Sequence, residues 1–104
     1  MKEIKFRAWD KKKKQMYYDV WFKFGIVYQK DSMLGALPLM QYTNLKDRTG
    51  REIFEGDILR ASQGQPRIRM VEWQNKGKIN GFNVAKGVWY EVIGNIYENP
   101  ELLN

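Results

Sequence analysis

Three carboxylates, Glu52, Glu55 and Asp57, fall within six positions around Gly56. Carboxylates this close can ligate a divalent cation through oxygen, or divide acid and base roles between them. Their spacing does not fit the alternating ligand pattern of a calcium loop. The favoured reading is structural: Glu55, Gly56 and Asp57 turn the chain at a tight corner, and Asp57 bonds nearby backbone amides. A second set of residues could do recognition chemistry. Arg7 and the lysines Lys11, Lys12, Lys13 and Lys14 lie close to Trp9 and Trp21. Cations of this kind hold phosphates while indole rings stack on bases. The same lysines also make a solvated turn that keeps an edge hairpin soluble. The same tryptophans also pack at the rim of a core or at a protein interface, where Trp and Arg are enriched.

The chain has no histidine and no cysteine. Ser–His catalysis, His-ligated zinc, thiolate metal sites, a cysteine nucleophile and a disulfide scaffold are therefore excluded. No glycine-rich phosphate loop and no Gly-x-Ser-x-Gly pattern occurs, because the glycines lie singly at turns. Nothing brings together a nucleophile, a base and an orienting group, so neither catalysis nor a cofactor is expected. The net charge is +6, from 18 Lys and Arg against 12 Asp and Glu. The first thirty residues hold nine bases against three acids, and the rest of the chain is balanced at nine against nine. Any polyanion reading must pass through the N-terminal segment. No apolar run approaches the ~20 residues that span a bilayer, and no secretory core is visible. A soluble cytoplasmic protein without membrane contact is expected.

The elements that must position these residues are mainly strands. A chain of 104 residues allows one compact domain, and most of its 15 aromatic side chains are needed to build the core. Ile4, Phe6 and Ala8 alternate with Lys5 and Arg7, which is the period of a strand. From Met16 to Tyr28 the even positions are apolar, over a run too long for one ordinary strand. A hairpin of residues 3–9 with 15–22 follows, with a turn or bulge near Lys23–Gly25. Trp9 and Trp21 sit on the off parity of their strands, which marks them as candidate interface residues. Residues 31–39 read as a loop or one short helical turn, and a short strand begins near Met40. Residues 46–50 form a turn that closes on Gly50, where a positive φ is often required. Residues 61–66 are a loop. Ile68 to Trp73 is a strand whose parity switches, as a bulge or two-sided burial would cause. Turns at 75–78 and 86–87 frame a short strand at Phe82 and Val84. Val88 to Ile96 is a further strand, bent at Gly94. Asn99 and Pro100 suit an N-cap and first helical position, after which Leu102 and Leu103 would dock the tail on the core.

The expected fold is mainly β: an N-terminal β-hairpin plus an SH3-like barrel or rolled antiparallel sheet, with a short C-terminal helical turn. It is read as a single domain, 1–104, with a hairpin region at 1–30 and a barrel-like region at 40–98.

Three blocks resemble the YopX family, small proteins of bacteriophages and prophages. They are Ile4-Lys5-Phe6-Arg7-Ala8-Trp9-Asp10 with Met16-Tyr17, the run from Met40 through Asn44, Gly50 and Gly56 to Ile58, and the run from Tyr90 to Leu103. They span almost the whole chain in the family's order. Asn44 stands where the family pattern usually has Gly, and Asn also tolerates a left-handed backbone. The resemblance implies a phage or prophage origin, a bacterial host cytoplasm and a mainly β fold containing an SH3-like barrel. It brings no biochemical activity. The function expected is that of a non-enzymatic accessory protein that acts through a protein partner or self-association. The alternative is a nucleic-acid-binding module using the basic hairpin.

Overall fold

The computed structural model describes residues 2–76, 79–85 and 88–104. It contains eleven strands and one 3-10 turn among those residues, and the chain divides into two compact units, Met1–Tyr42 and Thr43–Asn104. The mainly β, antiparallel architecture agrees with the alternation in the sequence. The sheets are open rather than closed into a barrel.

In the first unit, β1 (Phe6–Asp10), β2 (Gln15–Lys23), β3 (Ile26–Gln29), β4 (Ser32–Gly35) and the start of β5 (Leu39–Lys46) lie in the order β4-β3-β2-β1-β5. The expected hairpin is present, with Asp10 opposite Gln15 and Ala8 opposite Tyr17. Asp10 shapes its turn: Oδ1 accepts the amides of Lys12 and Lys13 at 3.0 and 3.1 Å. Lys14 closes the turn with φ +52°. The expected break after Lys23 is a two-residue turn, Phe24-Gly25, with Lys23 opposite Ile26. Both turn residues have positive φ, +50° and +77°, as a type I′ turn requires.

The ladder shifts between Phe6 opposite Val20 and Arg7 opposite Tyr18, which leaves Asp19 as an extra residue at φ +56°. A bulge of this kind flips the side-chain parity downstream. Tyr17 and Val20 therefore both face the core, which gathers Ala8, Val20 and Val27 with Phe6, Leu34, Leu37 and Leu39. Residues 32–35 are strand β4, not loop or helical turn. They pair with β3 across a tight turn in which Lys30 takes φ +53°.

The second unit holds the rest of β5, β6 (Glu52–Phe54), β7 (Asp57–Ala61), β8 (Ile68–Met70), β9 (Trp73–Lys76), β10 (Ile79–Phe82) and β11 (Tyr90–Asn95). β7 lies between β11 and β8, and β9 pairs with β10. The parity switch at 68–73 is therefore a break between two strands of different sheets, with Val71 buried between them. The core joins Ile53, Leu59, Ala61, Val71, Tyr90 and Val92. Of the 75–78 turn, Gly77 and Lys78 lie outside the described residues, as does the whole of the 86–87 turn. Asn44, within β5, takes φ +67°, the left-handed conformation expected of an Asn standing in place of Gly. The C-terminal 3-10 turn (Pro100–Leu103) forms, but none of its residues is buried, and Asn99 makes no side-chain cap bond. Leu102 and Leu103 thus do not dock as expected.

Candidate functional site

Alternation and the Asp19 bulge place Tyr18, Trp21 and Lys23 of β2 on the face of the first sheet away from its core. Tyr28 lies opposite Trp21, and Met33 lies opposite Tyr28. Trp21, Tyr28 and Met33 therefore form one row across three neighbouring strands. The rings of Trp21 and Tyr28 stack with centroids 4.4 Å apart and planes 13° apart. Trp21 is 49% exposed and Met33 69%, and Tyr18 is exposed beside them. A hollow of about 490 Å³ adjoins Tyr18, bordered by Met16, Asp19, Gln29 and Lys30. The Gln29 side chain ties the two strands there, donating Nε2 to the Tyr18 carbonyl at 2.6 Å.

At the tip of the β2–β3 turn Phe24 is 91% exposed. A bulky residue in the left-handed region is a backbone outlier that a packing role would not select. Lys23 Nζ stands 5.6 Å from the Phe24 ring centroid. Phe22 is half exposed on the core side, edge-on to Phe6 at 5.3 Å. The first unit thus shows solvent a large share of its aromatic surface, which exceeds what isolated surface residues need explain.

The sequence-derived candidates separate in the structure. Lys11, Lys12, Lys13 and Lys14 are all exposed in the β1–β2 turn. Arg7 is not with them: it is 1% exposed, and its Nε donates to Met40 Sδ at 3.3 Å. Trp9 is 7% exposed, so of the two tryptophans only Trp21 offers its ring to a partner. Alternation gives both tryptophans the same side, but burial differs along that side. Tyr18, Tyr28, Met33 and Phe24 were not singled out by the sequence. The signal available was the Phe24-Gly25 pair, an X-Gly turn that sets the register placing Tyr28 against Trp21.

The remaining candidates are structural in their geometry. Asp57 is buried, and its Oδ2 accepts the Phe54 amide at 2.8 Å across the corner, where Gly56 has φ +87°. Glu52 and Glu55 are partly buried on the flanks of that corner, and no three metal-ligating side chains converge among the described residues. Gly94 sits at a bulge where the ladder skips from Val92 to Gly94. A Cβ there would lie 2.5 Å from Asn99 Oδ1, the atom that accepts the Asn95 amide at 3.2 Å. The glycine thus admits a side chain of the same unit.

Asp47 at the 47–50 turn is the most heavily bonded carboxylate among these. Oδ1 accepts the Thr49 amide (2.8 Å), the Thr49 hydroxyl (2.7 Å) and the Arg51 amide (3.0 Å), while Oδ2 accepts the Val92 amide (3.0 Å). Burial pushes its pKa up, but the bonds from Val92, Thr49 and Arg51 outweigh burial and hold it below the usual carboxylate value. Gly50, at φ +91°, lets the turn close on it.

No helix of the described residues is long and apolar enough to cross a membrane. Among curated proteins none matches the chain. It is similar to protein EF1440 from Enterococcus faecalis, known from a crystal structure. The two are 29% identical over 100% of both chains, with a TM-score of 0.67. The family model described as YopX protein matches residues 5–104. Nearly the whole chain is covered, so this protein belongs to the YopX family.

Proposed function

We propose that this chain is a phage or prophage accessory protein, cytoplasmic in its bacterial host, that works by binding and not by catalysis. Its contact surface is the outer face of β2, β3 and β4. The observation that carries this reading is the Trp21–Tyr28–Met33 row, in which Trp21 and Met33 are exposed and Tyr28 is partly buried in its stack with Trp21; such apolar surface is costly to leave in water and adds nothing to the core of its own unit. Aromatic residues and methionine are enriched where macromolecules meet. A protein partner or a second copy would cover such a face. Self-association through the sheet edge is disfavoured, because terminal strand β4 is four residues long and its pairing is bulged at Leu34. The second reading, nucleic acid, is favoured by the four exposed lysines of the β1–β2 turn.

The test is affinity capture from infected host cells, with and without nuclease, alongside sizing by light scattering. The wild-type chain should retain a partner or self-associate, and Trp21→Ala should lose that contact while keeping its melting temperature. A monomer that captures nothing, or a Trp21→Ala chain that captures everything the wild type does, overturns the reading.

A further inference from the structure

Of the occupants open to this face, we infer single-stranded nucleic acid; the inference rests on the face being the contact surface. The first unit carries nine Lys and Arg against four acids, a net +5 in 42 residues. The placement of these charges matters more than their sum. Antiparallel pairing puts the β1–β2 and β3–β4 turns at one end of the sheet and the β2–β3 turn at the other. Lys11, Lys12, Lys13, Lys14 and Lys30 are exposed at the first end, and Lys23 is exposed at the second. The Trp21–Tyr28–Met33 row crosses the strands between these two ends. Asp10, Asp19 and Asp31 share the five-lysine end, but Asp10 is turned onto the backbone amides of Lys12 and Lys13. Cations at both ends of an aromatic sheet face follow the pattern of single-strand binding, in which lysines track phosphates and rings stack on bases.

The rings select the strandedness. A duplex keeps its base faces inside the stack and would meet only the lysines, leaving Tyr18, Trp21 and Tyr28 uncovered. The parallel stack of Trp21 on Tyr28 occupies one face of the indole and fixes its orientation, so a base meeting the other face needs no further ordering of the ring. An acidic protein would satisfy the lysines too, so it stands as the competing outcome.

The experiment is a titration of a fluorescein-labelled single-stranded oligo-dT of about 15 nucleotides, and of a duplex of equal length, at low and moderate salt. The single strand should bind more tightly than the duplex. Its affinity should fall with salt, by a log–log slope of about −0.7 per phosphate neutralised. Trp21→Ala should weaken binding by roughly 5- to 100-fold, and Trp21→Tyr, which keeps a stacking ring, should restore most of it. Replacing the four lysines at 11–14 by Gln should lower both affinity and slope. Melting curves of each variant distinguish lost binding from lost folding. Absence of binding at low salt, duplex binding as tight as single-strand binding, or indifference to Trp21→Ala each overturns the inference. If the oligonucleotide fails while Trp21→Ala abolishes capture of an acidic protein or a dimer, the nucleic-acid inference falls and the contact face stands. If Trp21→Ala changes no association at all, the contact face falls as well.

Discussion

Replacing Asp47 by Ala should remove the bond set that joins the 47–50 turn to β11. Four donors lose their acceptor. Thr49 and Arg51 are exposed, so their groups turn to water at small cost. Val92 is buried, and its amide has no such recourse. A bond to a charged acceptor contributes about 1.5–3 kcal/mol, and an orphaned buried amide costs about 1–3 kcal/mol. With the turn bonds partly replaced by water, the expected loss is about 3 kcal/mol for Asp47→Ala. At about 4–8 °C per kcal/mol this lowers the melting temperature by roughly 12–24 °C. Asp47→Asn should cost about 2 kcal/mol, since one oxygen still serves the turn while the amide group confronts the Val92 N–H, donor against donor. The pH dependence separates this account from a packing effect. The folded pKa lies below the usual value, so the folded chain binds the proton less readily than the unfolded chain. The stabilisation is complete above the unfolded value of about 3.9 and is lost as pH falls through the lower, folded value. Urea unfolding followed by tryptophan fluorescence, stepped from neutral to strongly acid pH, reads both quantities. The gap between wild type and Asp47→Asn should be widest at neutral pH and should shrink below about pH 4. A gap under about 0.5 kcal/mol at neutral pH, or one that stays constant on acidification, refutes the reasoning.

Further substitutions test the other placements. Gly94→Ala should destabilise by about 1–3 kcal/mol, because the new methyl overlaps the Asn99 side chain down to its Cβ, and much of this should disappear in an Asn99→Gly background; equal costs in both backgrounds would contradict the contact. Asp57→Ala should cost about 1–3 kcal/mol by orphaning the buried Phe54 amide, with melting temperatures that ignore added calcium or magnesium in both chains; a cation-dependent shift seen only in the wild type would point to a metal site instead. Phe24→Asn places an Asn-Gly pair in the β2–β3 turn and should raise stability by about 0.5–1 kcal/mol; an unchanged or lower melting temperature would mean the left-handed Phe24 is not strained.

What the sequence disclosed divides along a physical line. Asp47 to Gly50 and the Gly56 corner were legible because each is decided by the chemistry of one or two residues, and left-handed Asn44 because the family it resembles has Gly there. Strand β4 was not, because Ser32-Met33-Leu34-Gly35 has no strong strand preference and becomes a strand only through its pairing with β3. The break after Met70 was also hidden, since buried Val71 continues the apolar pattern while the chain changes sheets. The bulge at Asp19 had the largest consequence. Strict alternation from Met16 to Tyr28 sets Tyr18, Val20 and Tyr28 together and Trp21 apart. One extra residue puts Tyr18 on the side of Trp21, and the hairpin register brings Tyr28 opposite Trp21, while Val20 joins Tyr17 in the core. Alternation also assigns only a side, not the depth of cover on it, which is why Arg7 and Trp9 came out of the sequence as contact residues and are buried in the structure. The charge count located the basic unit in the first thirty residues, but counting could not show that its lysines stand at both ends of the strands that the Trp21–Tyr28–Met33 row crosses. That arrangement follows from one bulge and the tight turns, which set exposed lysines at the ends of the strands and Trp21 and Tyr28 on one face between them.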